Sequence, residues 1–206
     1  MNDTYTINSR TLAAALTHAG KKDIRFYLNG VCVDLESGRI IATDGHRMFI
    51  AFGPMEKGAG QRILPRSLVE TVCKAAGKRG QDVTLAFAGT GSEATCTAVL
   101  ADGRQFGETL IDGKFPDWQR VLPRTMSGIP GQYNAEYLYD AAAALALHGA
   151  CNDVVGARVA YNGHDSACVV YAPHCAENMA YCIIMPVRAD GEVIGKDLAA
   201  FIGLEG

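Results

Sequence analysis

Residues 39–52 read RIIATDGHRMFIAF. Two apolar arms, Arg39–Ala42 and Met48–Phe52, flank an Asp-Gly pair, the strongest short-range signal for a tight antiparallel hairpin. His46 and Arg47 follow the turn before the core-type run resumes. Within this segment alone they read by default as the wet rim of a sheet, with a place in a site as the alternative. Asp44 fits a turn role. Pairing it with His46 as a catalytic carboxylate and imidazole fails, because the two flank a tight turn with no nucleophile signalled nearby.

The hairpin belongs to a unit that recurs. Three segments carry helix signals: NSRTLAAALTHAG, capped by Asn8 or Ser9 and closed by Gly20; LPRSLVETVCKAAG, with Pro65 in front and Gly77 behind; and YNAEYLYDAAAALALHG, opened by Asn134 and closed by Gly149. Leu12, Leu68 and Leu138 hold the same place in each. Strand-like runs follow every helix: IRFYLNGVCVDLESG and RIIATDGHRMFIAF; DVTLAFAG, EATCTAVLADG and RQFGETLID; GARVAYNG, ACVVYAPH and MAYCIIMPV. Three helix-plus-strands modules predict an α+β fold, antiparallel sheets with helices on one face. GPMEKGAGQR and the Pro- and Gly-rich FPDWQRVLPRTMSGIPGQ read as linkers, the second as a domain boundary.

With 206 residues, 49% of them hydrophobic, the chain can bury a large core, and its formal charge of −3 excludes nucleic-acid coating by bulk charge. Seven scattered cysteines form no Cys-x-x-Cys pair, which suits reduced thiols. The cluster His164, Cys168, His174 and Cys175 matches no zinc spacing, so no metal and no cofactor is expected. The opening MNDTYTINSR lacks the layout of a signal peptide and no apolar run approaches membrane-spanning length, so a cytoplasmic location is expected. GTGSEA, Gly89–Ala94, matches a dinucleotide fingerprint but precedes a strand rather than a helix, and reads as a hairpin loop. Basic side chains recur on two helices: Arg10, Lys21 and Lys22 on the first, Arg66, Lys74, Lys78 and Arg79 on the second. Such rows could follow a phosphate backbone or form a solvated face. The third helix offers Glu136 and Asp140 and no Lys or Arg.

DIRFYLNGVCVD, ATDGHRM, IDGKFPDWQRVLPR and YCIIMPVR, in this order, resemble the bacterial DNA polymerase III beta subunit, the sliding clamp family. The resemblance implies a clamp domain over residues 1–125 similar to the family's middle domain. A half domain over 126–189 similar to the end of its last domain would follow, and then a tail, 190–206. It implies a closed ring whose helices line a hole for double-stranded DNA, with no enzymatic activity. It also implies a hydrophobic cleft that takes short peptides from polymerases, a clamp loader and repair proteins. The matching cleft positions are Leu28, Thr43, Gly45, His46, Arg47, Met48, Pro116, Arg120, Val121, Ile183, Met185, Pro186, Val187 and Arg188. On this reading His46 and Arg47 are cleft residues, and the basic rows face DNA.

The chain departs from the family pattern in two ways. It carries three modules where the family ring holds twelve, so four chains would close an equivalent ring, a homotetramer. A ring-less adaptor that titrates clamp-binding peptides is the alternative, favoured by the acidic third helix. The tail contains DLAAF, Asp197–Phe201. It could fill a cleft, or form a short helix against the third module.

Overall fold

The structure is a computed structural model, and it describes residues 3–53, 58–149, 156–173 and 180–187. The chain begins with strand β1 (Asp3–Asn8) and helix α1 (Ser9–Leu16), followed by the meander β2 (Gly30–Asp34), β3 (Arg39–Thr43) and β4 (Arg47–Phe52). The pattern repeats as β5 (Gln61–Pro65), α2 (Arg66–Ala76), β6 (Asp82–Ala88), β7 (Thr95–Leu100) and β8 (Gln105–Thr109). A third pass supplies α3 (Ala135–His148), β9 (Arg158–Ala160), β10 (Cys168–Tyr171) and β11 (Ala180–Ile184). All the predicted helices and strands are present.

Two strands, β1 and β5, were not legible in the sequence. Each is short and precedes a helix, and each finds its partner in the other module. The sheets run β1-β6-β7-β8 and β5-β2-β3-β4-β11-β10-β9, so the first two modules exchange their leading strands. This corrects the reading of GPMEKGAGQR as a linker throughout, since Gln61 and Arg62 begin β5. Gly30 explains how close that exchange is: a Cβ there would collide with the Leu64 carbonyl oxygen on β5.

Local chemistry sets the helix ends. Asn8 and Asn134 each accept a hydrogen bond from the backbone N–H two residues on, at the start of α1 and α3. Gly77 ends α2 at φ +76, a conformation that favours glycine. Helix α1 stops at Leu16, before the expected Gly20, because Thr17 turns its hydroxyl back onto the Ala14 carbonyl and the chain tightens. Lys21 and Lys22 therefore lie beyond the helix, not on its face.

The seven-stranded sheet is buried on both sides. One core fills the space between sheets and helices, from Leu12, Val33, Ile40, Phe49 and Leu68 to Leu145 and Val170. A second covers the opposite face with Leu28, Cys32, Ile41, Met48, Ile50, Phe115, Trp118 and Ile183. The lid of this second core is the segment 111–122, which from Phe115 onward carries the Pro- and Gly-rich composition read as a linker. Phe115 and Trp118 pin it down, and the Trp118 indole N–H donates to Asp34 Oδ2 at 3.1 Å. Burial opposes ionisation of Asp34, but donors from Ser37, Trp118 and Gln61 hold its carboxyl below the usual range. The five cysteines among the described residues are free thiols. Burial pushes Cys73 and Cys168 up to about 11 and Cys96 up to about 12, so they behave as core residues rather than nucleophiles. Cys151, His174 and Cys175 lie outside the described residues.

Candidate functional site, a cleft where the third module joins the first

Strand β11 extends the first module's meander by pairing with β4, Ile183 opposite Met48 and Ile184 opposite Arg47. The Met185 N–H then donates to the His46 carbonyl at 2.9 Å and extends the seam past the strand ends. A pocket of about 190 Å³ opens over this seam. Its walls come from four places: Arg25, Tyr27 and Leu28 before β2; the β3–β4 loop with Thr43 and Met48; Pro116, Asp117, Trp118 and Val121 on the lid; and Ile183 on β11 with Met185 just past its end. The lining is mostly apolar, with a few polar groups at the rim, the character of a small-ligand or peptide-anchor site.

The loop is longer than the tight turn that its Asp-Gly pair predicts. Thr43 pairs with Met48, so four residues, 44–47, lie between the last paired positions of β3 and β4, with Arg47 already on β4 through its pairing with β11. Asp44 organises it: Oδ1 accepts from the His46 and Arg47 backbone N–H groups at 2.9 and 3.1 Å, and Oδ2 accepts from Arg47 Nε at 3.0 Å. Thr43 closes it, accepting from the Gly45 N–H and donating to the Arg47 carbonyl. Gly45 sits at φ +93, and a Cβ there would lie 2.8 Å from the Arg25 guanidinium. Arg25 donates to the Asp44 carbonyl and pairs with Asp23, whose carboxyl it holds down to about 2. The carboxylate of Asp44 is thus spent on backbone and arginine.

Arg47 faces inward as much as toward the pocket. Besides Asp44, it pairs with Asp140 of α3 through Nη1, and its Nη2 donates to the Thr17 carbonyl at the end of α1. Its guanidinium lies 4.6 Å from the centre of the Tyr137 ring, on which His46 also stacks at 6.4 Å. Burial opposes the charge, but the bonds to Asp140 and Asp44 outweigh it and raise the Arg47 pKa. The residue therefore ties the hairpin loop to both neighbouring helices.

Ten of the fourteen cleft positions expected from the sequence line the pocket: Leu28, Thr43, Gly45, His46, Arg47, Met48, Pro116, Val121, Ile183 and Met185. Arg120 is exposed on the short helical turn Trp118–Val121, outside the lining. Pro186 and Val187 follow Met185 beyond it, and Arg188 lies outside the described residues. The lining residues that sequence reasoning missed are Arg25, Tyr27, Asp117 and Trp118. All four sit inside the quoted stretches DIRFYLNGVCVD and IDGKFPDWQRVLPR. Tyr137, beneath His46 and Arg47, had no local signal, because its helix meets the loop only in three dimensions.

The basic residues fall into two groups. Lys21, Lys22, Lys74, Lys78 and Arg79 are exposed, with Lys22 at φ +56. Arg66 instead donates from Nη2 to the carbonyl of Leu16, the last residue of α1, at 3.4 Å and to those of Ala19 and Gly20 at 2.8 and 2.9 Å, and pairs with Glu70, so it caps the end of α1 and holds the turn that follows. Arg10 is half-buried against Gly80. Around the mouth between the three helices, Lys21, Arg47 and Arg66 face Asp44, Glu70, Glu136 and Asp140, so this surface is of mixed charge.

Residues 7–117 match the family model of the DNA polymerase III beta subunit, central domain. The chain is 34% identical to the beta sliding clamp of Vibrio cholerae over 110 residues, 52% of this chain and 29% of that protein. It is 32% identical to the beta sliding clamp of Haemophilus influenzae over 124 residues, 58% and 32% of the two chains. Its fold is similar to a crystal structure of the DNA polymerase sliding clamp from Pseudomonas aeruginosa, with a TM-score of 0.69 at 19% identity, over 90% of this chain and 66% of that one. The matched region thus spans about three tenths of the length of these curated relatives. The family model matches more than half of the chain, and the chain belongs to the DNA polymerase III beta subunit family.

Proposed function

We propose that this chain is a small DNA sliding clamp, a non-enzymatic processivity factor that encircles double-stranded DNA as an oligomer. It tethers a DNA polymerase or another DNA-processing protein through the cleft over the β4–β11 seam. The observation that carries this reading is the cleft itself. An apolar pocket with His46, Thr43 and backbone groups at its edge suits short peptides that bury two or three large side chains. The exposed Lys21, Lys22, Lys74, Lys78 and Arg79 supply a sequence-independent attraction to phosphates. Three meanders per chain against the twelve of the family ring make a homotetramer the assembly to test first, loaded with or without a clamp loader.

Three measurements test the parts. Fluorescence anisotropy of a labelled peptide with Leu and Phe three residues apart should report binding that Met185→Asp abolishes. Light scattering should give a mass near four chains. The protein should be retained on circular DNA and lost when the circle is cut. Retention that ignores cutting would refute encirclement.

The ring-less adaptor keeps one observation in its favour. Arg66 is consumed by the end of α1, and α3 presents Glu136 and Asp140 beside it, which weakens the case for a DNA-lining face across all three modules. Peptide binding by a concentration-independent monomer would select this second reading.

A further inference from the structure

We propose that β8 is a subunit interface: the free edge of β8 in one chain pairs antiparallel with β8 of a second copy, about a two-fold axis at Gly107. The pairing rests on the oligomeric part of the function proposed above and is one of the contacts that would build the ring.

The chain already contains one joint of this kind. Each meander ends on a strand: the first on β4, the second on β8, the third on β11. Two of these, β4 and β11, pair antiparallel with each other, and α1 packs on α3 across the seam. The remaining one, β8, is the terminal strand of its sheet. With β4 and β11 engaged, the meander-ending strand that a second copy offers is its own β8.

Backbone geometry leaves that edge in water. The β7–β8 ladder is bounded by hydrogen bonds from the Leu100 N–H to the Arg104 carbonyl and from the Leu110 N–H to the Ala94 carbonyl, at 2.9 and 2.8 Å. Bonded pairs alternate along an antiparallel ladder, so Phe106 and Glu108 bond to Ala98 and Cys96. The N–H and C=O groups of Gln105, Gly107 and Thr109 therefore point away from the sheet. All three residues are exposed, and at Gly107 exposure means bare backbone. Strand β8 also carries none of the usual edge protection: its pairing runs unbroken from Gln105 to Thr109, without a bulge, a Pro or a Lys.

The edge is complementary to itself. A two-fold at Gly107 sets Gln105 opposite Thr109 of the second copy and Gly107 opposite its own counterpart. Each such pair exchanges two hydrogen bonds, and every outward group is satisfied. No like charges meet, because Gln105 and Thr109 are neutral and Phe106 falls opposite Glu108. The Glu108 carboxylate already accepts from the Ser67 hydroxyl of α2. As α1 meets α3 across the existing seam, α2 would meet its counterpart here, and Ser67 and Thr71, exposed, small and one turn apart, leave room for that approach.

Sedimentation velocity of the full chain over a range of concentrations tests the pairing, together with hydrogen exchange in peptides covering 104–110. The native protein should form an oligomer of even number, and exchange in those peptides should slow as the concentration rises. A Cβ at Gly107 meets nothing nearer than 3.8 Å, so a side chain there leaves the folded chain intact. Gly107→Glu sets two carboxylates face to face at the axis and should weaken self-association at least about tenfold with an unchanged melting curve. Gly107→Thr should keep it. Gly107→Cys should be joined into a covalent dimer by a short bis-maleimide that leaves the native chain unjoined. An oligomer that ignores Gly107→Glu and gives no cross-link would overturn the pairing and leave the ring to another contact. A monomer at every concentration would overturn it too, while the labelled peptide still reports on the cleft. Cross-linking of Gly107→Cys only in a mixture with Thr6→Cys would put a second copy's β1 on this edge instead. The tail, with its DLAAF, lies outside the described residues. Protection at 104–110 that ignores dilution and vanishes in a 1–189 truncation would place that tail on the edge and overturn the proposal. A cross-linked dimer whose native form is not retained on circular DNA would uphold the pairing and refute encirclement.

Discussion

His18 offers the sharpest quantitative prediction. It lies fully buried at the end of α1, with its ring against Phe49 at 5.9 Å. Thr17 uses its hydroxyl proton on the Ala14 carbonyl, so the 2.8 Å contact between Thr17 Oγ1 and His18 Nδ1 requires the proton on Nδ1. Nε2 is buried without a hydrogen-bond partner. Burial first, and the nearby Arg47 charge second, lower its pKa from 6.5 to about 4. At about 1.4 kcal/mol for each tenfold change in proton affinity, this links about 3 kcal/mol of folding stability to keeping His18 neutral. The sign follows from proton counting. Between pH 4 and 6.5 the unfolded chain binds more protons than the folded one, so stability is complete above about 6.5 and falls as the pH drops toward 4. Asp23 and Asp34, whose carboxyls are lowered, lose their contribution only below this window. Urea unfolding of the native protein and of His18→Leu at several values between pH 7.5 and 4.5 reads the difference. The native protein should lose about 3 kcal/mol more than the variant. Parallel losses in the two proteins would refute the assignment.

Other perturbations address the cleft and its supports. Asp140→Ala leaves Arg47 half-buried with one carboxylate fewer and should cost about 2 kcal/mol by thermal or urea unfolding. In a double-mutant cycle with Arg47→Ala, the coupling should exceed about 1 kcal/mol; additive losses would mean the pair does not join α3 to the hairpin. Trp118→Phe keeps an aromatic ring, smaller than the indole, and removes the donor to Asp34. It should cost about 1–2 kcal/mol and weaken peptide binding by loosening the lid; unchanged affinity would show that the lid is held by Phe115 alone. Asn134→Ala removes the cap of α3 and should cost about 1 kcal/mol, seen as faster exchange in its first turn.

The three helices, their caps and the meanders were legible because each rests on local chemistry: a cap residue, a periodicity, a turn pair. The Asn134 cap and the Gly77 and Gly149 endings stand where the sequence put them. Much of the cleft was legible too, since its residues sit in short stretches that resemble the clamp family. Two things were not. The leading strands β1 and β5 are too short to announce themselves, and their partners lie in other modules. The roles of charged residues also stayed hidden. Arg66 reads as one of a basic row, yet its guanidinium caps a neighbouring helix; Arg47 reads as a rim group, yet it ties three elements together. A guanidinium is used wherever carbonyls and carboxylates meet it, and that meeting happens in three dimensions.

By itself, then, the sequence determined the modules, their order and the apolar character of the cleft walls. The tertiary structure decided that β11 joins β4, which sets Ile183 directly opposite Met48, 135 positions earlier in the chain, under one pocket. Backbone hydrogen bonds along a strand edge carry no side-chain code, so the sequence could name the strands and only the fold could say which edge each would find.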